Sequence, residues 1–289
     1  MSAVADAIRA EVIPHIDDIG VTLGSVTAMD ELAGSGFVTS GSIMVPCPWF
    51  PAAAELAARR PDLDLGLHLT LTSESARMRW RPMSTASKSS GLIDDDGYMW
   101  PTVPELRARA RPGAVEEELE TQIAAALEAG IDVTHLDHHM GGALAPELAE
   151  ITLGVARRHR LPVLMPLDPA AYASVLEWGP ADLSLLDDLR DDLVASGGVG
   201  ADHFMMGLTY QDEAPRQVYG RFLDEATGVA FLSMHCNAPG EVSAVHPDDA
   251  AWRIAEYEWA RAGALEAPDD VVLSDFRQLG ARWRWGYGG

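Results

Sequence analysis

LGLHLTLT, residues 65–72, alternates strictly: Leu65, Leu67, Leu69 and Leu71 fall on one face and Gly66, His68, Thr70 and Thr72 on the other. Successive side chains of a strand point to opposite faces, so this stretch predicts a strand with one apolar and one polar face. In a barrel the leucines would meet the surrounding helices, and His68 would stand at the interior mouth. A lone histidine in a strand is more often a hydrogen-bonded structural residue, so this segment decides the fold before it decides the chemistry.

Working outward, further short apolar runs occur at 10–17, 37–45, 63–71, 132–138, 161–166, 229–235 and 281–287. Between them lie helical patterns around 22–34, 51–60, 114–129, 144–159, 182–196, 247–261 and 269–279. In 114–129, Val115, Leu119, Ile123, Ala126 and Leu127 gather near one face at the helical period, and Gly130 supplies the stop. Asp269 and Asp270 read as N-caps of the last helix. Strands alternating with helices predict parallel strands joined by crossovers, and about seven of them predict an α/β fold closed into a parallel (β/α) barrel. With 289 residues and a 47% hydrophobic fraction, one domain spanning 1–289 is expected.

One stretch breaks the rhythm. Residues 73–112 are polar and rich in Arg, Trp, Ser and Pro, with DDDG at 94–97 as a turn. Long insertions in compact domains are usually functional or disordered. This one is expected to cover the active-site face, with Arg79, Trp80 and Tyr98 as substrate contacts; a plain surface insertion is the other reading.

Formal net charge is −23, from 44 acidic and 21 basic residues, which excludes a basic stripe for nucleic acid. Such a chain also repels anionic membrane surfaces and draws in metal cations. Cys47 and Cys236 are the only cysteines, too few for a disulfide framework. The first residues, MSAVADAIRAEVIPH, hold no apolar core of signal-peptide length, and no run of 18 apolar residues occurs. A cytoplasmic protein is expected.

Four segments carry candidate chemistry. HIDDIG, 15–20, ends an apolar strand in Asp17 and Asp18, where barrels keep their active sites. Neighbours on a strand face apart, so the two share a site only if the chain bends there. THLDHHMGG, 134–142, places His135, Asp137 and His139 on one strand face, a ligand set suited to zinc and similar ions. An aspartate beside a liganding histidine also fits the role of fixing its tautomer. FLSMHCNAPGE, 231–241, ends an apolar strand in His235 before a Pro-Gly turn.

Together these segments resemble the YdjC-like carbohydrate deacetylase family, also called ChbG/HpnK. The resemblance takes in DD at 17–18, GFVTSGSIMVPCPW at 36–49, GLHLTLTSE at 66–74, RWRP at 79–82, THLDHH at 134–139 and RIAEYE at 253–258. It implies a distorted barrel, one divalent metal ion (zinc, magnesium, manganese or cobalt) and removal of acetyl groups from N-acetylated sugars. By the same resemblance Asp17 is the catalytic base, and Asp18, His68 and His139 are the ligands. His235 is assigned as the acid, although the late His-Pro-Gly element reads HCNAPG. His135 and Asp137 would stand behind the ligands. The expected partner is a small acetylated sugar, with no nucleic acid and no membrane; a homo-oligomer is left open. The same ligands could serve another amide or an ester, and an inactive sugar-binding relic is the remaining alternative.

Overall fold

The computed structural model describes residues 8–176, 178–195, 199–263 and 265–282. Its strands are β1 (Ala10–Ile19), β2 (Ser40–Ile43), β3 (Leu65–Leu69), β4 (Val133–His138), β5 (His203–Met206), β6 (Gly228–Met234) and β7 (Val271–Leu273). All pairings are parallel, in the order β4-β3-β2-β1-β6-β5, with β7 attached to β1.

Central strand β1 contains Pro14, which lacks an N–H, and the pairing accommodates it. On one side β6 runs from Ala10↔Gly228 to Ile16↔Met234. On the other, β7 pairs with Ala10–Val12 and β2 begins only at His15. Pro14 falls in the gap where one neighbour gives way to the next, so no ladder bond is lost. The ring closes through residues 162–167, bridging Leu136↔Val163 on one side and Pro166↔Ala201 on the other. This is the distorted barrel that the alternating pattern predicts.

Helices cover the outside. Pro112, Pro146 and Pro215 each open a helix at its first position, where a missing N–H has no cost. The leucines of β3 join Leu119 and Ile123 of the helix Pro112–Glu128 in the outer core. A smaller interior cluster, including Ile13, Leu164, Val229, Phe231 and Phe276, plugs the bottom of the barrel. No helix among the described residues is long and apolar enough to cross a membrane. Both cysteines are free and buried.

Four elements differ from the sequence expectation or fall partly outside the described residues. The run 161–166 makes two isolated bridges rather than a strand. Within the expected helix 269–279, Val271–Leu273 is a strand and only Phe276–Leu279 is helical. Asp270 is no N-cap: its carbonyl accepts the N–H of Arg9, and its carboxylate pairs with the Arg9 guanidinium at 2.8 Å. Of the expected strand 281–287, residues 283–287 lie outside the described residues and 281–282 belong to a 3-10 turn. β5 was not foreseen, because His-Phe-Met-Met is too short to show a period.

Gly66 shows how tightly β3 is set. A methyl there would lie 2.4 Å from Nε2 of His135, whose ring is stacked on Phe276 at 3.6 Å and cannot yield. Gly66→Ala is therefore expected to destabilise the fold by about 1–3 kcal/mol, read as a lowered Tm. An unchanged Tm would show the barrel interior to be loose.

Candidate metal centre and its cavity

The bend that two adjacent aspartates need is present. Asp18 has φ +60°, a left-handed conformation uncommon outside glycine, and the register with β2 slips between Ile16 and Ile19. Both carboxylates thereby turn to the same end of the barrel and are buried. Such backbone strain, on the order of 1–3 kcal/mol, persists only where surroundings hold it. Arg253 does so: its Nη1 donates to Asp18 Oδ2 at 2.8 Å and its Nε to Asp249 at 3.0 Å. Though burial opposes it, the Arg253 charge holds the Asp18 carboxyl well below the usual range.

His68 and His139 converge on the other oxygen of Asp18. His68 sits on the inner face of β3, its Nδ1 2.8 Å from Asp137 Oδ1. His139 follows β4 directly, where Met140 and Gly141 take positive φ and turn the chain over the barrel mouth. Its Nε2 lies 2.8 Å from Glu74 Oε2. Each imidazole thus commits one nitrogen to a carboxylate and aims the other inward. His68 Nε2 lies 3.5 Å and His139 Nδ1 3.3 Å from Asp18 Oδ1.

This arrangement fits a cation. Asp18 Oδ1 is buried without a hydrogen-bond partner, although two imidazole nitrogens face it. Ligand atoms about 2.1 Å from one tetrahedral ion stand roughly 3.4 Å apart, close to the spacing found. The surrounding carboxylates also demand positive charge. Against its burial, Glu74 and Asp18 push the His139 imidazole up to about 10. Two further sets of donors, His15 with His135 and Asp137, and Asp17 with His68 and Asp137, also lie close enough to hold an ion. Their members are already bridged, His15 to Asp137 at 3.1 Å and His68 to Asp137 at 2.8 Å, so a cation is not required there.

Asp17 lies beside the set. Ser233 Oγ donates to its Oδ2 at 2.6 Å, and its Oδ1 is buried without a partner. Burial, reinforced by the charges of Asp137 and Asp18, pushes its carboxyl up to about 7 despite His68 and Ser233. His235 Nε2 is 3.9 Å from Asp17 Oδ2 and 4.0 Å from Asp18 Oδ2. Its backbone N–H donates to Glu256 at 2.8 Å, which fixes the end of β6. Burial, with the Arg253 charge and against the pull of Asp18, holds its imidazole well below the usual histidine range.

The remaining expected residues sit elsewhere. Asp137 backs His68 and also accepts from Ser42 at 2.9 Å. His135 lies deeper, bonded to Thr134 at 2.8 Å and 3.5 Å from Asp64. Arg79, Trp80 and Tyr98 are absent from the lining of the cavity above the set. Arg79 is engaged by Asp94 and the Met99 carbonyl, and the Trp80 indole donates to the Thr72 carbonyl at 2.7 Å. Tyr98 lies under the Arg79 and Arg81 guanidinium groups. These three tie the 73–112 excursion together, with Trp80 packed 6.0 Å from the His139 ring. The Arg79 guanidinium and the Trp80 indole N–H are thus already hydrogen-bonded within the protein.

Glu74, Arg253, Ser42, Ser233 and His15 were given no role from sequence. His15 was the readable one: two places before Asp17, it shares a strand face with it, and its Nε2 lies 3.4 Å from Asp17 Oδ1. Glu74 and Arg253 come from a loop and a distant helix, and only the closed barrel brings them to His139 and Asp18.

Comparison with known proteins agrees with this architecture. The chain is 38% identical over 158 residues to a carbohydrate deacetylase of Thermus thermophilus, covering 55% of this chain and 54% of that one. It is 30% identical over 157 residues to a carbohydrate deacetylase of Thermoanaerobacter pseudethanolicus, covering 54% and 61%. The chain thus spans between about half and two thirds of the length of these relatives. A solved structure from Enterococcus faecalis V583, described as a candidate cellobiose-phosphate cleavage protein, superposes with a TM-score of 0.71 at 20% identity, over 94% of this chain and 99% of that one. That likeness is one of fold. A family model described as YdjC-like protein matches residues 11–267, from the first strand past the helix bearing Arg253, and the chain belongs to the YdjC-like family.

Proposed function

We propose that the chain is a divalent-metal-dependent hydrolase that removes the acetyl group from an N-acetylated amino sugar. The observation that carries the metal half is the buried, unpartnered Oδ1 of Asp18 with His68 Nε2 and His139 Nδ1 turned toward it. The acyl-sugar half is supported by relatives named carbohydrate deacetylase.

Asp18, His68 and His139 would hold the ion. When bound, such an ion lowers the pKa of water from about 15.7 toward 7 and polarises a carbonyl. Two His and one Asp suit zinc, manganese or cobalt, and magnesium is the further candidate. The protein's own groups do the proton work. Asp17, oriented by Ser233, accepts a proton from the attacking water as its oxygen bonds to the acetyl carbon. His235, whose affinity for a proton burial lowers, receives a proton before it gives one. Asp17, 3.9 Å away, is the group placed to supply it. The C–N bond then breaks, the nitrogen takes that proton and leaves as the amine, and acetate remains. Asp137 and Glu74 keep His68 and His139 in the tautomers that present a lone pair inward.

The test is a panel of N-acetylated mono- and oligosaccharides incubated with metal-reconstituted protein, scoring free acetate and free amine together. Equal release of both from at least one sugar is expected. Turnover of simple esters or non-sugar amides with none of the sugars would reject the substrate half and leave the metal half standing.

A further inference from the structure

The cavity of about 360 Å³ above the ligand set has two unlike sides. One is charged, presenting Asp18, Glu74, His246, Asp249 and Arg253. A shallow depression sharing Glu74, His246 and Asp249, and reaching Arg77, continues it outward. The other side is mostly apolar, with His138, the Tyr172 hydroxyl and Thr209 as the polar groups of the lining besides those of the charged side and the residues around Asp17. Its floor is Leu164, Tyr172 and Phe231, only 2%, 3% and 1% exposed, and half-buried Val175, Leu176 and Phe204 form its wall. Phe231 stands two residues before Ser233 on the same face of β6, and it belongs with Leu164 to the plug of the barrel. This lobe therefore starts beside Asp17 and descends below it.

Such a lobe offers too few polar groups for a sugar ring, most of whose hydroxyls would lose water against Leu164, Val175, Leu176, Phe204 and Phe231 without finding partners. It suits an apolar chain. We infer that the lobe receives the acyl group and that the preferred substrate carries a linear acyl chain longer than acetyl, the sugar lying in the charged cleft toward Arg77. This rests on the reading of the site as an amino-sugar N-deacetylase and widens its acyl range, acetyl remaining a substrate and a longer linear chain the better one. The acyl tail is joined to the reacting carbon, which must lie beside Asp17, so it enters a lobe that begins there. An apolar group on the sugar's anomeric carbon would have to pass the ligand set to reach the same floor.

The experiment compares kcat/KM of zinc-loaded protein on N-acetyl-, N-butanoyl- and N-hexanoylglucosamine, with octyl N-acetylglucosaminide as a further arm. Added methylenes in a matched apolar pocket raise specificity by about tenfold or more, so butanoyl is expected to exceed acetyl by at least that factor. Val175→Trp, which narrows the lobe, should collapse the butanoyl-to-acetyl ratio. Acetyl as the fastest substrate would overturn the inference while leaving the deacylase reading intact. So would a gain for the octyl glycoside without one for butanoyl. Hydrolysis of none of them would fail the deacylase reading instead. Calorimetric binding of acetate, butanoate and hexanoate to the zinc-loaded protein then tests the lobe by itself: affinity rising with chain length supports it, and equal affinities overturn it.

Discussion

His139→Ala is expected to leave the chain without a tightly held divalent ion and to drop acetate release to the uncatalysed background. His139 Nδ1 is one of three donor atoms, with Asp18 Oδ1 and His68 Nε2, and Asp18 and His68 alone would not hold an ion firmly. It is also the gentlest ligand to remove. Asp18→Ala would leave buried Arg253, 4% exposed, with only Asp249 of its two carboxylate partners. Breaking a buried ion pair from one side costs about 3–5 kcal/mol, so lost folding could pass for lost metal. Removing His139 frees Glu74, whose side chain is 26% exposed and can be hydrated. Elemental analysis after dialysis reads the result: about one ion per chain in the parent protein, and far less in the variant with its Tm retained. Asp137→Asn sets the scale for an indirect effect, since losing a carboxylate behind a liganding histidine weakens metal affinity about 10–100-fold. A His139→Ala protein that keeps one tightly bound ion would place the metal elsewhere, the His15, His135 and Asp137 set being the next to examine.

Asp17→Asn should separate chemistry from metal binding. Asparagine keeps the shape, so the Ser233 hydroxyl retains an acceptor and the Asp18 set is untouched. What is lost is the ability to take a proton. General-base catalysis contributes about 10²–10⁴-fold, and kcat should fall within that range with the metal content unchanged. The pH profile gives a second reading. Burial raises the Asp17 carboxyl to about 7 in the metal-free chain. The base acts as the carboxylate, so kcat/KM must rise as pH rises through its pKa. A cation beside it stabilises the carboxylate, so the midpoint of that acid limb in loaded protein should fall at or below about 7. The limb should vanish from the residual activity of Asp17→Asn. Full turnover by that variant with its ion in place would remove Asp17 from the proton path.

These two expectations differ in where they were legible. Asp17, Asp18, His68, Asp137 and His139 each end or line an apolar strand, and strand period two together with the barrel-rim rule was enough to single them out. Along a strand, neighbours in sequence are neighbours in space, and the alternation of Leu65 to Thr72 says which way His68 points. The seven-strand count was right for a reason only partly read. Residues 161–166 proved to be a bridge, and Val271–Leu273 became a strand because β1 offers it a free edge below Pro14.

The sequence by itself determined the alternating β/α plan, the inward faces of its longer strands and the residues able to bind a cation. Only the tertiary structure decided which oxygen of Asp18 is left bare, because that depends on Arg253 arriving from 235 residues away to occupy the other. It also decided that Glu74 stands against His139, and that the Arg79 guanidinium and the Trp80 indole are hydrogen-bonded away from the cavity. The physical reason is common to all three. A side chain's role is set by which of its polar atoms remain unpaired after folding, and the partners that pair them come from distant elements whose approach no local period encodes.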